Sequence, residues 1–235
     1  MIDAALRLAL APVLVAQGAW VAARTPSLPE ALGHHSGAIG EGPPLRVLFV
    51  GDSSMAGVGV IHLDDALPGQ ILSRLAPHFA VTWHMHARSG ATTASTSRTL
   101  PPHKCDIAIV ALGVNDLTRL VPLRRWLAQT EALIEQLETG GARQVHLSAM
   151  PPVGRFPAIP SPLSWVLGRQ AARMTEGLAA LARRRGALLH ILPETALTPD
   201  MVASDGFHPG HATYAVWGEM VASAILRTPD TPPGG

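Results

Sequence analysis

From position 45 onward the chain alternates two kinds of hydrophobic pattern. Short runs rich in Val, Ile and Leu read as strands: LRVLFV (45–50), AVTWHMH (80–86), CDIAIVALG (105–113), ARQVHLSAM (142–150) and ALLHIL (187–192). Between them lie stretches with helical spacing. Residues 64–79 carry Leu67, Ile71, Leu72 and Leu75 on one face, with Pro68 in the first turn. Residues 121–141 open at Pro122 and close at Gly140-Gly141, and residues 163–186 stop at Gly186. A last helix is predicted over 211–227. The run 105–113 is almost wholly apolar, which suits a strand covered on both faces. Alternation of strand and helix predicts an α/β domain, with a five-stranded parallel sheet between two helical layers.

In such a sheet, ligands bind beyond the carboxyl ends of the strands. The small and polar residues of this chain gather there. Gly51, Asp52 and Ser53 follow the first strand, ARSGATT with Gly90 the second, and LGVND with Asn115 and Asp116 the third. MPPVGRFP follows the fourth, and SDGFHPG with Asp205 and His208 lies past the fifth.

These residue types meet the needs of acyl transfer from an ester: a nucleophile, a base, a partner that orients the base, and donors for an oxyanion. Ser53 is the candidate nucleophile and His208 the candidate base. Asp205, three residues before His208, can curl back onto the ring. The Ser53 and Gly90 N–H groups and the Asn115 amide are the candidate oxyanion donors. Each such donor is typically worth about 3 kcal/mol of barrier.

Together GDSS, SGATT, GVND and DGFHP resemble the four sequence blocks of the SGNH hydrolases, also called the GDSL esterase/lipase family. The matching residues are Ser53, Gly90, Asn115 and His208, with Asp205 at the place of the family's aspartate. The blocks run from about Val47 to His211, in family order. Ser54 departs from the pattern, standing where many members have Leu. The resemblance implies a flavodoxin-like three-layer sandwich with strand order 2-1-3-4-5. It also implies hydrolysis of carboxylic esters by a Ser-His-Asp acyl-enzyme route, without metal or cofactor. The expected substrate is a small-molecule or lipid ester. Acyl transfer, carbohydrate deacetylation and a non-enzymatic flavodoxin-like binding module are the alternatives.

Each residue also has a plainer reading. Ser53 can be a helix N-cap, and Asp205 with His208 an ordinary turn before a helix. Gly90 can be a turn glycine and Asn115 a loop residue. Asp52 is expected to pin the nucleophile turn, and Asp116 to order the Asn115 loop. The pairs His84/His86 and His34/His35 lack a third metal ligand nearby. The AGVGV stretch (56–60) lacks the lysine and the full glycine pattern of a nucleotide loop. The stretch PPVGRFPAIPSPLSW (151–165) is expected to overhang the site, with Phe156, Ile159, Leu163 and Trp165 as candidate walls of an acyl pocket. The alternative is a proline-stiffened loop packed on the domain. Arg155 is placed to meet an anionic substrate.

Composition narrows the setting. Of 235 residues, 47% are hydrophobic and only 4% aromatic, so the core must be built of aliphatic side chains. A net charge of +1 gives no concentrated basic surface, and no nucleic-acid partner is expected. The cluster Arg183-Arg184-Arg185 closes a helix, where cations suit the dipole. The single cysteine, Cys105, rules out an intramolecular disulfide.

Residues 1–44 divide into an apolar segment and a Gly/Pro-rich stretch, 25–44, that reads as a linker. The uncharged run 8–23 is short for a membrane span and is interrupted by Pro12, Gln17 and Gly18. It reads as a helix packed on the domain or lying at a membrane surface through residues 4–23; a signal peptide and a membrane anchor are the alternatives. The expected location is accordingly cytoplasmic or membrane-associated, with secretion the other outcome. The catalytic domain is expected over 45–228, with a flexible tail over 229–235.

Overall fold

The computed structural model of the chain describes residues 2–193, 198 and 201–228, with side chains from Leu10 onward; the tail 229–235 lies outside the described residues. Six strands form one sheet: β1 (Ser36–Ile39), β2 (Pro44–Gly51), β3 (Ala80–Ala87), β4 (Ile107–Ala111), β5 (Gln144–Ser148) and β6 (Leu188–His190). Their order is β1-β3-β2-β4-β5-β6. The five parallel strands stand as expected. The sixth is a correction, because β1 comes from the stretch read as a linker. It pairs antiparallel with the β3 edge, Ser36 opposite His84 and Ile39 opposite Val81. All four of its residues are exposed, so it carries no apolar alternation that would reveal it.

The helices are α1 (Ile2–Arg24), α2 (Leu67–Leu75), α3 (Thr93–Thr99), α4 (Val114–Thr118), α5 (Leu123–Thr139), α6 (Leu163–Arg185) and α7 (His211–Arg227). Helix α3 is polar apart from Ala94 and stands on its cap instead: Thr92 and Ser95 satisfy each other's backbone N–H groups. Alternation along the strands splits the core in two. Leu48, Val50, Ala108, Val110, Val145 and Leu147 face α5 and α6. Val47, Phe49, Ile107, Ile109 and Ala111 face α2 and α7.

Helix α1 rests on α6. Gln17 fixes it there: its Nε2 donates to the Ser161 carbonyl at 2.7 Å, and its Oε1 accepts from Leu163 N at 3.0 Å. Val13, Val15 and Trp20 are exposed on α1. Among the described residues, no helix is long and apolar enough to cross a membrane.

At the amino ends of the strands Asp106 ties two neighbours, Arg46 and Arg143, together. Its Oδ2 accepts from Arg46 N and Nε at 2.9 and 3.0 Å. Its Oδ1 accepts from Arg46 Nη2 at 2.8 Å and Arg143 Nη2 at 3.2 Å. The side-chain bond from Arg46 holds this carboxyl below its usual range, against the opposing effect of burial.

A second polar group lies inside the sheet layer. His146 Nε2 donates to Gln144 Oε1 at 3.2 Å, so its Nδ1 must accept from His190 Nε2 at 2.9 Å. Burial pushes His146 down to about 3, helped by His190, and His190 down to about 4. Both rings are therefore neutral.

Two outcomes follow for stability. Asp106→Asn should lower the unfolding free energy by about 1–2 kcal/mol, read from the urea midpoint; the half-exposed arginines keep the value below that of a buried ion pair. The histidine pair binds protons more readily when unfolded, so its contribution is full above pH 6.5 and is lost as pH falls toward 4. A His146→Leu/His190→Leu variant should lose less stability than the wild type between about pH 7.5 and pH 5.

Candidate active site

Strand β2 ends in a turn whose steric demands are met by Gly51. A Cβ there would lie 2.3 Å from Met55 Cβ and 2.9 Å from the Ala111 carbonyl. The next residues close the turn through Ala56 N to Asp52 O at 2.9 Å and Val58 N to Ser53 O at 2.9 Å. Ser53 is thereby held at the carboxyl edge of the sheet. On the other side, Asp205 organises its own turn: Oδ1 accepts from Phe207 N at 2.9 Å and His208 N at 3.0 Å.

The two turns meet. His208 Nε2 lies 3.0 Å from Ser53 Oγ, and His208 Nδ1 lies 2.5 Å from Asp205 Oδ2. An acceptor at Asp205 fixes the ring proton on Nδ1 and leaves Nε2 as the acceptor for the serine hydroxyl. Burial by itself pushes Asp205 up, but the bonds from the His208 ring, His208 N and Phe207 N outweigh it and hold the group below its usual value. Asp205 is thus an anion beneath the imidazole.

The candidate oxyanion donors follow the three neighbouring strands β2, β3 and β4. Among the described residues, neither the Ser53 N–H nor the Gly90 N–H donates to a protein acceptor. Gly90 has φ +76°, a left-handed conformation that a side chain would strain. Its loop is held from two sides: Ser89 N donates to Glu30 Oε1 at 2.7 Å, and Arg119 Nη2 donates to the Gly90 carbonyl at 3.0 Å. Asn115 Nδ2 donates to the Ala91 carbonyl at 3.0 Å and reaches Asp52 Oδ2 only at 3.4 Å. Asp116 accepts from Thr93 N and Oγ1 at 2.9 and 3.0 Å, tying the Asn115 loop to α3. Asp52 accepts from Ser54 N at 3.1 Å. Burial drives its carboxyl up to about 7, and the nearby Asp116 adds to the effect.

With this geometry in place, the sequence comparison is decisive: residues 49–216 match the GDSL-like Lipase/Acylhydrolase family. The chain belongs to that family.

Solved structures agree in fold. The chain is similar to TesA, with TM-score 0.64 and 22% identity over 77% of this chain and 97% of that one. It is similar to the psychrotrophic esterase EstA from Pseudoalteromonas sp., inhibited by monoethylphosphonate, with TM-score 0.58 and 18% identity over 77% and 97%. It is also similar to a catalytic mutant of Axe2, an acetylxylan esterase from Geobacillus stearothermophilus, with TM-score 0.58 and 18% identity over 80% and 94%. No protein of curated function matches the chain in sequence.

Beside Ser53 and His208 this GDSL-family chain has a cleft whose walls differ in part from those expected. Phe156 lines it and stands edge-on to Phe207, with ring centroids 5.2 Å apart. Ile159, Leu163 and Trp165 are not among its lining residues. Ile159 is buried in the α5/α6 side of the core. Leu163 and Trp165 sit two positions apart at the start of α6, which turns them to opposite sides. Leu163 packs on the core, and Trp165 is exposed with Arg169 over its ring at 5.2 Å. The remaining walls include Leu112, Val114, Ser148, Pro151, Leu192, Phe207 and Trp217. Position in sequence was a usable signal for Phe207, which adjoins His208, and for Leu112, which ends a strand. Glu30 and Arg119 gave none, because their roles depend on loops that meet only in the fold.

Asp52 supplies a direct check of this electrostatic picture. Its carboxyl carbon, observed by NMR in aspartate-labelled protein, should titrate near pH 7, with the carboxylate forming as pH rises. Asp52→Asn should remove that transition.

Proposed function

We propose that this family member is a serine esterase that hydrolyses carboxylic esters through an acyl-enzyme. The observation that carries the reading is the unbroken hydrogen-bond chain Ser53–His208–Asp205, drawn from positions 155 residues apart at its serine end. Ser53 Oγ attacks the ester carbonyl carbon as its proton passes to His208 Nε2. The carbonyl oxygen becomes an oxyanion and takes hydrogen bonds from Ser53 N, Gly90 N and Asn115 Nδ2. The long contact to Asp52 leaves one Asn115 hydrogen ready for this task. Collapse breaks the bond to the alcohol oxygen, which leaves with the proton from His208. Water then attacks the acyl-Ser53 ester, His208 takes its proton, and the acid departs as that proton returns to Ser53. Asp205 keeps its charge throughout and stabilises the transient imidazolium.

The substrate this reading supports is a small or lipid-like ester. Apolar walls at Leu112, Val114, Pro151, Phe156 and Phe207 suit an uncharged acyl group.

The test is turnover of p-nitrophenyl acetate and butyrate. Ser53→Ala and His208→Ala should each lower kcat by about 10³-fold or more, and the double variant should lose little beyond either single one. Asp205→Asn should cost less than either. Labelling by a fluorophosphonate serine probe should vanish in Ser53→Ala alone among conservative serine variants of the cleft. Equal turnover by wild type and Ser53→Ala would overturn the proposal.

A further inference from the structure

Two residues that line the cleft carry polar atoms that have no partner among the described residues. Ser148 Oγ and Trp217 Nε1 are both buried and, among the described residues, have no hydrogen-bond partner. Both residues line the cleft that Ser53 and His208 open into, and each is only 7% exposed. They also belong to the same face of the sheet. Strand alternation turns Ser148 away from Leu147, toward the side where α7 presents Trp217 and β4 presents Ala111.

An unpaired buried N–H or O–H is costly, and the cost is recovered by whatever supplies the missing partner. The cleft they line mixes apolar Ala111, Leu192, Pro209 and Phe207 with polar Asp52, Ser53, Ser54 and His208. A plain hydrocarbon filling this space would leave both unpaired. The whole cleft, Ser53 and His208 included, offers about 40 Å³, room for about three water-sized groups. In the acyl-enzyme route the alcohol leaves to solvent while the acyl group stays bound to Ser53, so the group offered to these two atoms is the acyl chain.

Resting on the esterase reading above, we propose that the pocket selects short acyl groups that carry a hydroxyl oxygen. Trp217 Nε1 donates to that oxygen, and its hydrogen is given to Ser148 Oγ. A site that hydrogen-bonds a substrate hydroxyl rejects the isostere lacking it far more strongly than an apolar pocket rejects one methyl group.

The experiment compares p-nitrophenyl 3-hydroxybutyrate with p-nitrophenyl 3-methylbutyrate, in which a methyl replaces the hydroxyl. The ratio of their kcat/KM values, divided by the ratio of their hydroxide-catalysed rates, should exceed about tenfold for the wild type. Trp217→Phe and Ser148→Ala should each bring the ratio toward one, and Ser148→Ala serves where the larger change disturbs folding. A wild-type ratio near one overturns the inference and leaves ester hydrolysis standing. A high ratio that neither variant lowers overturns it as well. Failure of the wild type to turn over either ester, together with no fluorophosphonate labelling, overturns the esterase reading itself and this inference with it.

Discussion

One buried hydrogen bond decides where the Ser53 turn lies. Tyr214, on α7, is fully buried and donates its hydroxyl to the Val58 carbonyl at 2.7 Å. Burial holds this phenol well above its usual pKa, and the nearby Asp52 and Asp205 add to that. The hydroxyl therefore keeps its proton and remains a donor. Val58 N in turn closes onto Ser53 O. The helix that carries Tyr214 starts three residues after His208, so one rigid element positions both turns. Gly59, at φ +109°, permits the contact: a Cβ there would lie 2.2 Å from the Pro209 carbonyl. Close approach of these two loops is the condition for the serine and the imidazole to meet at all.

Around them, three carboxyls occupy one rim of the sheet, and their donors set their charge. Asp205 receives three N–H groups and stays ionised despite burial. Asp52 receives one good N–H and a long one, and burial dominates. Asp116 lies between, with Thr93 serving only one of its oxygens, and burial raises it too. Identical functional groups at one rim of the sheet thus behave differently because the fold supplies them with donors unequally. The arrangement concentrates lasting negative charge under the histidine, where an imidazolium would form, and limits it beside the serine, where an oxyanion would form.

Much of the scaffold was legible because it rests on periodicity. Five strands and the long helices have apolar positions that repeat at the period their burial demands. The turns that converge on the cleft were legible because they follow strands and carry unusual residues: Ser53 after Gly51-Asp52, Asn115 after Gly113, His208 after Asp205. The illegible parts share a physical cause. Strand β1 is held by backbone bonds alone, with exposed side chains. Helix α3 is held by a cap instead of a stripe. Leu163 and Trp165 are a different case: the helix read from 163 onward already sends them to opposite sides, so placing both in one pocket wall conflicts with that reading. Ser148 and Trp217 come to line one cleft only in the fold.

The amide of Gln17 couples regions that look separable along the chain. It grips the backbone on both sides of Pro162, at the end of the segment that brings Pro151 and Phe156 to the cleft. Helix α1 is consequently a strut as well as an appendage. A force applied to it, by a surface or by a fused protein, is delivered to the roof over the serine, and excision of the helix would hand two peptide groups there back to solvent.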